Sequence, residues 1–230
     1  MEQTPFRPDP HDFATNPQSR CPSVLILDIS ASMKGESIKQ LQEGVAVYRD
    51  SLFSDGLARK RVEVAIVTFG GAVEVVQSFT TAENFTAPAL ASRGDTPMGE
   101  AVVTALKLLA DRKVEYNNAG IQYYRPWVFL LTDGGPTDAN SHHWSEAKDL
   151  IKKGEDGKKF SFFCAGVEGA DMERLTELNP ARAPLKLNGL EFKKMFQWLS
   201  SSQQFVSRSN PGDKVALQDP TAGPAGWASV

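Results

Sequence analysis

One carboxylate and two hydroxyls follow the first strongly apolar stretch of the chain. Asp28, Ser30 and Ser32 come directly after the branched run Val24–Leu27, which is typical of a strand buried on both faces of a parallel sheet. Open α/β sheets bind ligands where their strands end, and carboxylate and hydroxyl oxygens suit a hard divalent cation. The alternative is an ordinary turn in which Asp and Ser only cap the next helix.

Two later loops carry the same kind of side chain. Thr96 stands before Pro97, a residue favoured in the first turn of a helix, and Asp133 follows the apolar strand predicted at 127–132. The first strand and the strand at 127–132 are candidates to be central neighbours, and their carboxyl ends would then meet at one crevice. Because three separate loops carry side chains of the same kind at strand ends and a helix start, a shared site is favoured over a turn that only caps a helix. The predicted metal ligands are Asp28, Ser30, Ser32, Thr96 and Asp133.

The donor set favours Mg²⁺, with Mn²⁺ and Ca²⁺ as alternatives. Mg²⁺ takes octahedral oxygen coordination and usually keeps some water. Five protein groups with only two formal negative charges leave the ion electrophilic and one position open. An Asp or Glu side chain of a partner protein is the ligand that we expect there.

Apolar patterning predicts an α/β fold with alternating strands and helices. The expected sheet is doubly wound, mostly parallel and six-stranded, with one antiparallel edge strand after Gly70-Gly71 and helices on both faces. The predicted strands are 23–28, 61–69, 72–77, 127–132, 160–166 and 185–187. The predicted helices are 36–54, 97–112, 141–153, 171–178 and 190–206.

Composition divides the chain into an extended, proline-containing arm at 1–22, one domain at 23–206 and a Pro/Gly/Ser-rich tail at 207–230 with no core of its own. A net charge of −3 and a pI near 5.7 argue against nucleic acid as a partner. No stretch is apolar enough to cross a bilayer, and no signal peptide is visible. Cys21 and Cys164 predict two separate reduced thiols and a cytoplasmic location.

The motif set resembles von Willebrand factor A (VWA) domains. Asp28 to Ser32 matches the D-x-S-x-S signature of that family, and Thr96 and Asp133 stand where the family has its metal-binding threonine and strand-end aspartate. The resemblance covers residues 23–206 and implies a Rossmann-like fold with a metal-ion-dependent adhesion site (MIDAS). Ala31 departs from the frequent D-x-S-G-S form, but its side chain is not a ligand.

Several other stretches resemble bacterial TerY/YegL-type VWA proteins. They include the Arg-Cys-Pro at 20–22, the Tyr-Arg-Pro-Trp at 124–127 and the Asp-Gly-Gly-Pro-Thr-Asp at 133–138. This resemblance implies a tellurite-resistance-like or stress-associated role and a kinase and a phosphatase as partners.

Three functions follow as hypotheses. The first is a non-enzymatic, Mg²⁺-dependent protein-interaction module, because no nucleophile–base pair is present. The second is a phosphotransferase or phosphatase with Asp28 as nucleophile, although Ser30 stands where such enzymes carry a second aspartate. The third is a subunit of a larger assembly that docks through its terminal arms. The lysines at 152, 153, 158 and 159 are predicted to form a solvated turn.

Overall fold

The computed structural model describes residues 11–222 and 226–229. In this part of the chain the sheet has seven strands, not the six predicted, in the order β3-β2-β1-β4-β5-β6-β7. The strands are β1 (Cys21–Asp28), β2 (Val62–Gly70), β3 (Ala72–Thr81), β4 (Trp127–Thr132), β5 (Ser161–Gly166), β6 (Leu185–Leu187) and β7 (Ala228–Ser229). The helices are α1 (His11–Thr15), α2 (Glu36–Ser54), α3 (Ala58–Arg61), α4 (Met98–Asn118), α5 (His142–Asp156), α6 (Met172–Leu178) and α7 (Phe192–Ser207).

Strand β1 lies at the centre of the sheet, as predicted from its unbroken apolar run. It pairs in parallel with β2 on one side and with β4 on the other. The β4–β5 and β5–β6 pairs are also parallel, whereas β3 pairs antiparallel with β2 after a tight turn at Gly71. The carboxyl ends of β1 and β4 therefore lie side by side, which confirms the prediction that these strands are neighbours.

Helices cover both faces of the sheet. Helices α2 and α7 pack on one face, and α4, α5 and α6 pack on the other. Gly44 allows α2 to approach α7 closely, because a Cβ atom there would lie 2.5 Å from the ring of Phe196. The buried apolar residues on each strand alternate between these two layers, as a doubly wound sheet requires.

The seventh strand comes from the segment predicted as a tail, and this segment packs against the core of the domain. Strand β7 pairs antiparallel with β6, so the sheet has an antiparallel strand at each edge rather than at one. Trp227 is buried beside the ring of Trp198, with 5.5 Å between the ring centroids. The tail therefore closes the edge of the sheet next to α7.

A buried charged cluster lies where the parallel strands begin, at the end of the sheet away from Asp28. The Glu63 carboxylate accepts hydrogen bonds from Arg20 (2.8 Å), from Arg112 (2.8 and 2.9 Å) and from the Tyr116 hydroxyl (2.6 Å). Phe13 of α1 lies against both guanidinium groups. The N-terminal segment, which was predicted to be extended, thus carries a short helix that covers this cluster.

Both cysteines are free and buried, which confirms the prediction of two separate thiols. Cys21 begins β1 and Cys164 lies on β5, with β4 between the two strands. Two strand spacings of about 4.8 Å already exceed the Cα separation that a disulfide can bridge. Of the helices in the described ranges, none combines the length and the apolar character that crossing a membrane requires.

Candidate metal centre

Asp28 is the last residue of β1 and is completely buried. Its Oδ1 atom accepts a hydrogen bond from the backbone N–H of Ser30 (2.8 Å), and its Oδ2 atom accepts one from the Thr132 hydroxyl at the end of β4. Thr132 in turn accepts from the N–H of Gly134 at 3.1 Å. Both carboxylate oxygens of Asp28 are therefore fixed by the two loops that they join.

A row of hydroxyl groups links the loop after β1 to the loop after β4. The Oγ atoms of Ser30 and Ser32 are 3.0 Å apart, and the Ser32 hydroxyl donates to Oδ1 of Asp133 at 2.7 Å. Because a serine has one hydroxyl hydrogen, Ser30 is the donor to Ser32. Three predicted ligands, two of them separated from the third by about a hundred residues, thus form one continuous row of oxygens.

Thr96 reaches the same place through backbone contacts. The Ala31 N–H donates to the carbonyl of Gly94 (2.9 Å), and the Arg93 N–H donates to the carbonyl of Ile29 (2.7 Å). These two hydrogen bonds join the segment before Thr96 to the loop that carries Ser30 and Ser32. Thr96 is 7% exposed, so it is buried where these loops meet.

The loop after β4 holds Thr96 from the other side. The Thr96 N–H donates to the Thr137 hydroxyl (3.2 Å), and the Thr137 N–H returns a bond to the Thr96 carbonyl (3.0 Å). The Asp138 carboxylate accepts from the N–H groups of Gly99 (3.1 Å) and Glu100 (2.9 Å), which are otherwise unpaired at the start of α4. Sequence reasoning missed Thr137 and Asp138, because a helix cap supplied by a distant segment leaves no local pattern.

Glycines allow the three loops to come this close. A Cβ atom at Gly70 would lie 2.7 Å from the carbonyl oxygens of both Ile29 and Arg93. Gly94 has a φ of +63°, and its Cβ would lie 2.4 Å from the Cα of Gly71. The hairpin between β2 and β3 therefore packs directly against the loop that leads to Thr96. This hairpin thus helps to position the candidate site.

Burial is the strongest influence on the pKa of the Asp28 carboxyl. Burial raises the pKa of the Asp28 carboxyl above its ordinary value, the hydrogen bonds from Ser30 and Thr132 lower it, and the charge of Asp133 adds to the increase. The net direction is upward. A cation beside these two carboxylates would counter that increase, because it favours the charged form.

The residues present fit a hard cation. The row from Ser30 to Asp133 offers only oxygen donors, and Asp28 lies behind it as a second carboxylate. Within the described ranges, no group of three or more His, Cys, Asp or Glu residues is placed to hold a metal ion. Any cation at this crevice therefore depends on the hydroxyls, which favours Mg²⁺, Mn²⁺ or Ca²⁺ over softer metals.

Comparison with known families identifies the domain. The von Willebrand factor type A domain profile matches residues 24–194, about three quarters of the chain. The chain belongs to the VWA family. VWA domains are generally protein-interaction modules, and many of them depend on a metal. No curated protein sequence gives a significant match.

Solved structures share the VWA fold at low sequence identity. The open conformation of the pilus adhesin SpaC from Lactobacillus rhamnosus GG is 15% identical, with a TM-score of 0.65 over 82% of this chain and 30% of that one. The ArnB paralog VWA2 from Sulfolobus acidocaldarius is 16% identical, with a TM-score of 0.53 over 80% of this VWA chain and 45% of that one. The PilB minor pilin from Streptococcus sanguinis is 12% identical, with a TM-score of 0.54 over 81% and 62%. This chain thus spans less than two thirds of each of these proteins.

Proposed function

We propose that this VWA chain is a Mg²⁺-dependent protein-interaction module that binds a carboxylate of a partner protein. The observation that carries the proposal is the row of oxygens from Ser30 through Ser32 to Asp133, with Asp28 buried behind it. Thr96 would complete the ligand set, and its burial next to backbone bonds between the neighbouring loops supports this role.

The residues of the set would have different roles. The hydroxyls of Ser30, Ser32 and Thr96 are neutral donors and would bind the cation without quenching its charge. Asp28 already accepts two hydrogen bonds, so it would act on the cation through neighbouring groups or water and orient Ser30. Asp133 is partly exposed and would face the incoming ligand. Because the site would hold only two negative charges, an Asp or Glu of the partner would complete the coordination.

The surroundings of Asp28 disfavour the alternative of a phosphotransferase or phosphatase. A nucleophile must reach its substrate with a free lone pair. Asp28 has no exposed surface, and each of its oxygens accepts a hydrogen bond from its own fold. Ser30 offers no carboxylate that could act as a general acid or base. We therefore propose a binding role without catalysis.

The finer biological setting is also part of the proposal. The TerY/YegL-like stretches suggest a bacterial, cytoplasmic VWA protein in a stress or tellurite-resistance-like system, with a kinase and a phosphatase as candidate partners. Two unpaired thiols are consistent with a reducing compartment. The net charge of −3 supports a protein partner rather than nucleic acid or an anionic membrane. The proposed interaction domain extends over residues 23–206, between the arm at 1–22 and the tail at 207–230.

Titration calorimetry with Mg²⁺ tests the metal site. The wild type should bind Mg²⁺, and Thr96→Ala and Asp133→Ala should each weaken binding by at least about tenfold, since each removes a proposed ligand. Thr176→Ala is the control, because its hydroxyl bonds only the carbonyl of Met172 on exposed α6. Circular dichroism checks that the variants keep their fold.

Acetate, the smallest carboxylate, tests the open position. If a carboxylate completes the coordination, Mg²⁺ and acetate must strengthen the binding of each other by the same factor. Equal Mg²⁺ affinity in the wild type and in both ligand variants would refute the metal site. Mg²⁺ binding that ignores acetate would refute the carboxylate part of the proposal.

A further inference from the structure

A groove lies between α4 and α5. It is away from the metal centre, towards the amino ends of the parallel strands. Its walls are apolar and its volume is about 270 Å³. This volume is below that of most drug-sized sites but far above the roughly 30 Å³ that one water occupies in the liquid. The lining residues are Leu106, Lys107, Leu109, Ala110, Lys113, Leu150, Lys153, Gly154, Lys159 and Phe160.

The floor of the groove is built into the packing of α5. Phe160 precedes β5 and is buried against Gly154, where a Cβ atom would lie only 2.1 Å from its ring. The missing side chain at Gly154 therefore allows the ring to lie under the helix and to form an apolar base. On α4, Ala110 is exposed at the rim, and Val114, one turn further on the same face, is 56% exposed. The apolar surface thus continues along α4 beyond the groove.

The rim carries uncompensated positive charge. Four of the described residues that line the groove are lysines, and no described lining residue is acidic. Lys107 pairs with Glu146 at 3.0 Å. Across the described ranges no acidic group lies within ion-pair distance of the other three lysines, and Asp149, one turn before Lys153 on α5, forms no such pair with it. These three lysines are Lys113, Lys153 and Lys159.

The surroundings of Lys113 reflect this excess of charge. Its Nζ atom lies 3.3 Å from the carbonyl oxygen of Lys159 and 5.6 Å from the ring centroid of Tyr123. Burial lowers the pKa of Lys113, and the charge of Lys159 lowers it further. A negative charge placed in the groove would relieve this repulsion. The protein as a whole has a net charge of −3, so the basic rim is a local feature and not a consequence of overall composition.

We propose that this groove is a second docking site, which takes an acidic peptide segment of a protein partner with an apolar side chain as its anchor. The apolar walls fit the anchor, and the three unpaired lysines fit carboxylates on either side of it. The site is separate from the metal centre, because its α4 residues lie 8 to 15 positions beyond Met98, or roughly 12–22 Å along the helix. Docking here requires no cation and does not depend on the proposed function.

The test uses a fluorescently labelled synthetic peptide in which glutamates flank a single leucine–phenylalanine pair. Fluorescence anisotropy measures its binding to the whole chain in EDTA. We expect saturable binding, at least tenfold weaker for a control peptide in which serines replace the apolar pair. We also expect Lys153→Glu combined with Lys159→Glu to weaken binding by about tenfold or more, because each reversal turns an attraction into a repulsion.

Matched variants separate the groove from general electrostatics. Lys152→Glu changes the charge on the same helix but does not line the groove, so it should change affinity less than twofold. Ala110→Trp fills the exposed rim without changing any charge, and it should also weaken binding by about tenfold or more. Asp133→Ala, whose fold circular dichroism checks and which lies outside the groove, should leave peptide binding in EDTA unchanged.

Several outcomes would overturn the proposal. They are the absence of saturable binding, equal binding of the serine peptide, and an effect of Lys152→Glu as large as that of the groove variants. Sedimentation with vesicles of phosphatidylcholine and phosphatidylserine is the remaining arm. If the vesicles bind with the same lysine dependence while the peptide does not, the groove recognises a membrane surface and the peptide proposal fails.

Discussion

Replacing Gly94 by alanine tests how the metal centre is assembled. Gly94 has a φ of +63°, and a Cβ atom there would lie 2.4 Å from the Cα of Gly71 and 2.5 Å from its N atom. Both obstacles are backbone atoms, so no flexible side chain can move aside. The substitution must shift either the hairpin after β2 or the loop that leads to Thr96.

Gly120→Ala is the matched control. Gly120 follows α4 with a φ of +67°, but nothing lies within 4 Å of a Cβ atom placed there. Both variants therefore pay for a left-handed alanine, about 1–2 kcal/mol. Only Gly94→Ala adds the effect of overpacking, typically about 1–3 kcal/mol. The difference between the two free energies of unfolding should thus be about 1–3 kcal/mol.

Urea and thermal unfolding measure this difference in the absence of metal. For a chain of this size the melting temperature falls by about 2–4 °C per kcal/mol. Repeating the experiment in Mg²⁺ adds a second readout, since a ligand at a hundred times its Kd stabilises by about 2.7 kcal/mol. Gly120→Ala should keep that stabilisation and Gly94→Ala should lose most of it. Equal destabilisation of the two variants, or full Mg²⁺ stabilisation of Gly94→Ala, would refute the interlocking of hairpin and loop.

Two further predictions concern caps and ion pairs. Asp138→Ala should lower the free energy of unfolding by about 1 kcal/mol, because it leaves two N–H groups at the start of α4 unpaired, and it should weaken Mg²⁺ binding. Ser141→Ala, which removes only the cap of α5, should destabilise similarly in urea but leave Mg²⁺ titrations unchanged. The ion pairs of Glu177 with Lys148 and Arg174 lower its pKa from 4.5 to about 2. Its contribution to stability is therefore complete above pH 4.5 and lost as the pH falls towards 2, so Glu177→Gln should flatten the loss of stability in that range, and an unchanged acid profile would contradict this assignment.

Much of the fold was predictable because the central strands are uniformly apolar. The run before Asp28 and the run at 127–132 both lie in the middle of the sheet, and the period of α2 predicted its bounds as the structure has them. Three short elements were missed, although the three-residue strand β6 was predicted with its bounds. Helices α1 and α3 and strand β7 have two to five residues each and show no clear period, and long-range contacts such as those of Phe13 and Trp227 help to determine them.

The candidate site divides in the same way. Asp28, Ser30, Ser32 and Asp133 could be grouped from the sequence because they lie at or just after the ends of strands predicted to be neighbours, and one row of hydrogen bonds joins the last three. Thr132 and Asp138 act across loops that lie far apart in the chain. Helix α4 also runs to Asn118, six residues beyond its predicted end, because Tyr116 is held by the buried Glu63. Such partners depend on tertiary contacts that no local pattern encodes.

The paired edge made by β7 has a practical consequence for shortened versions of the chain. A version cut at Ser207 would follow the compositional boundary, but it would remove the Gln218 carbonyl that accepts from the Trp198 indole and the Trp227 carbonyl that accepts from the Asn188 N–H. Strand β6 would then present an open edge beside an uncovered tryptophan, a combination that favours strand-to-strand aggregation. Versions that retain the chain through Ser229 keep this edge closed.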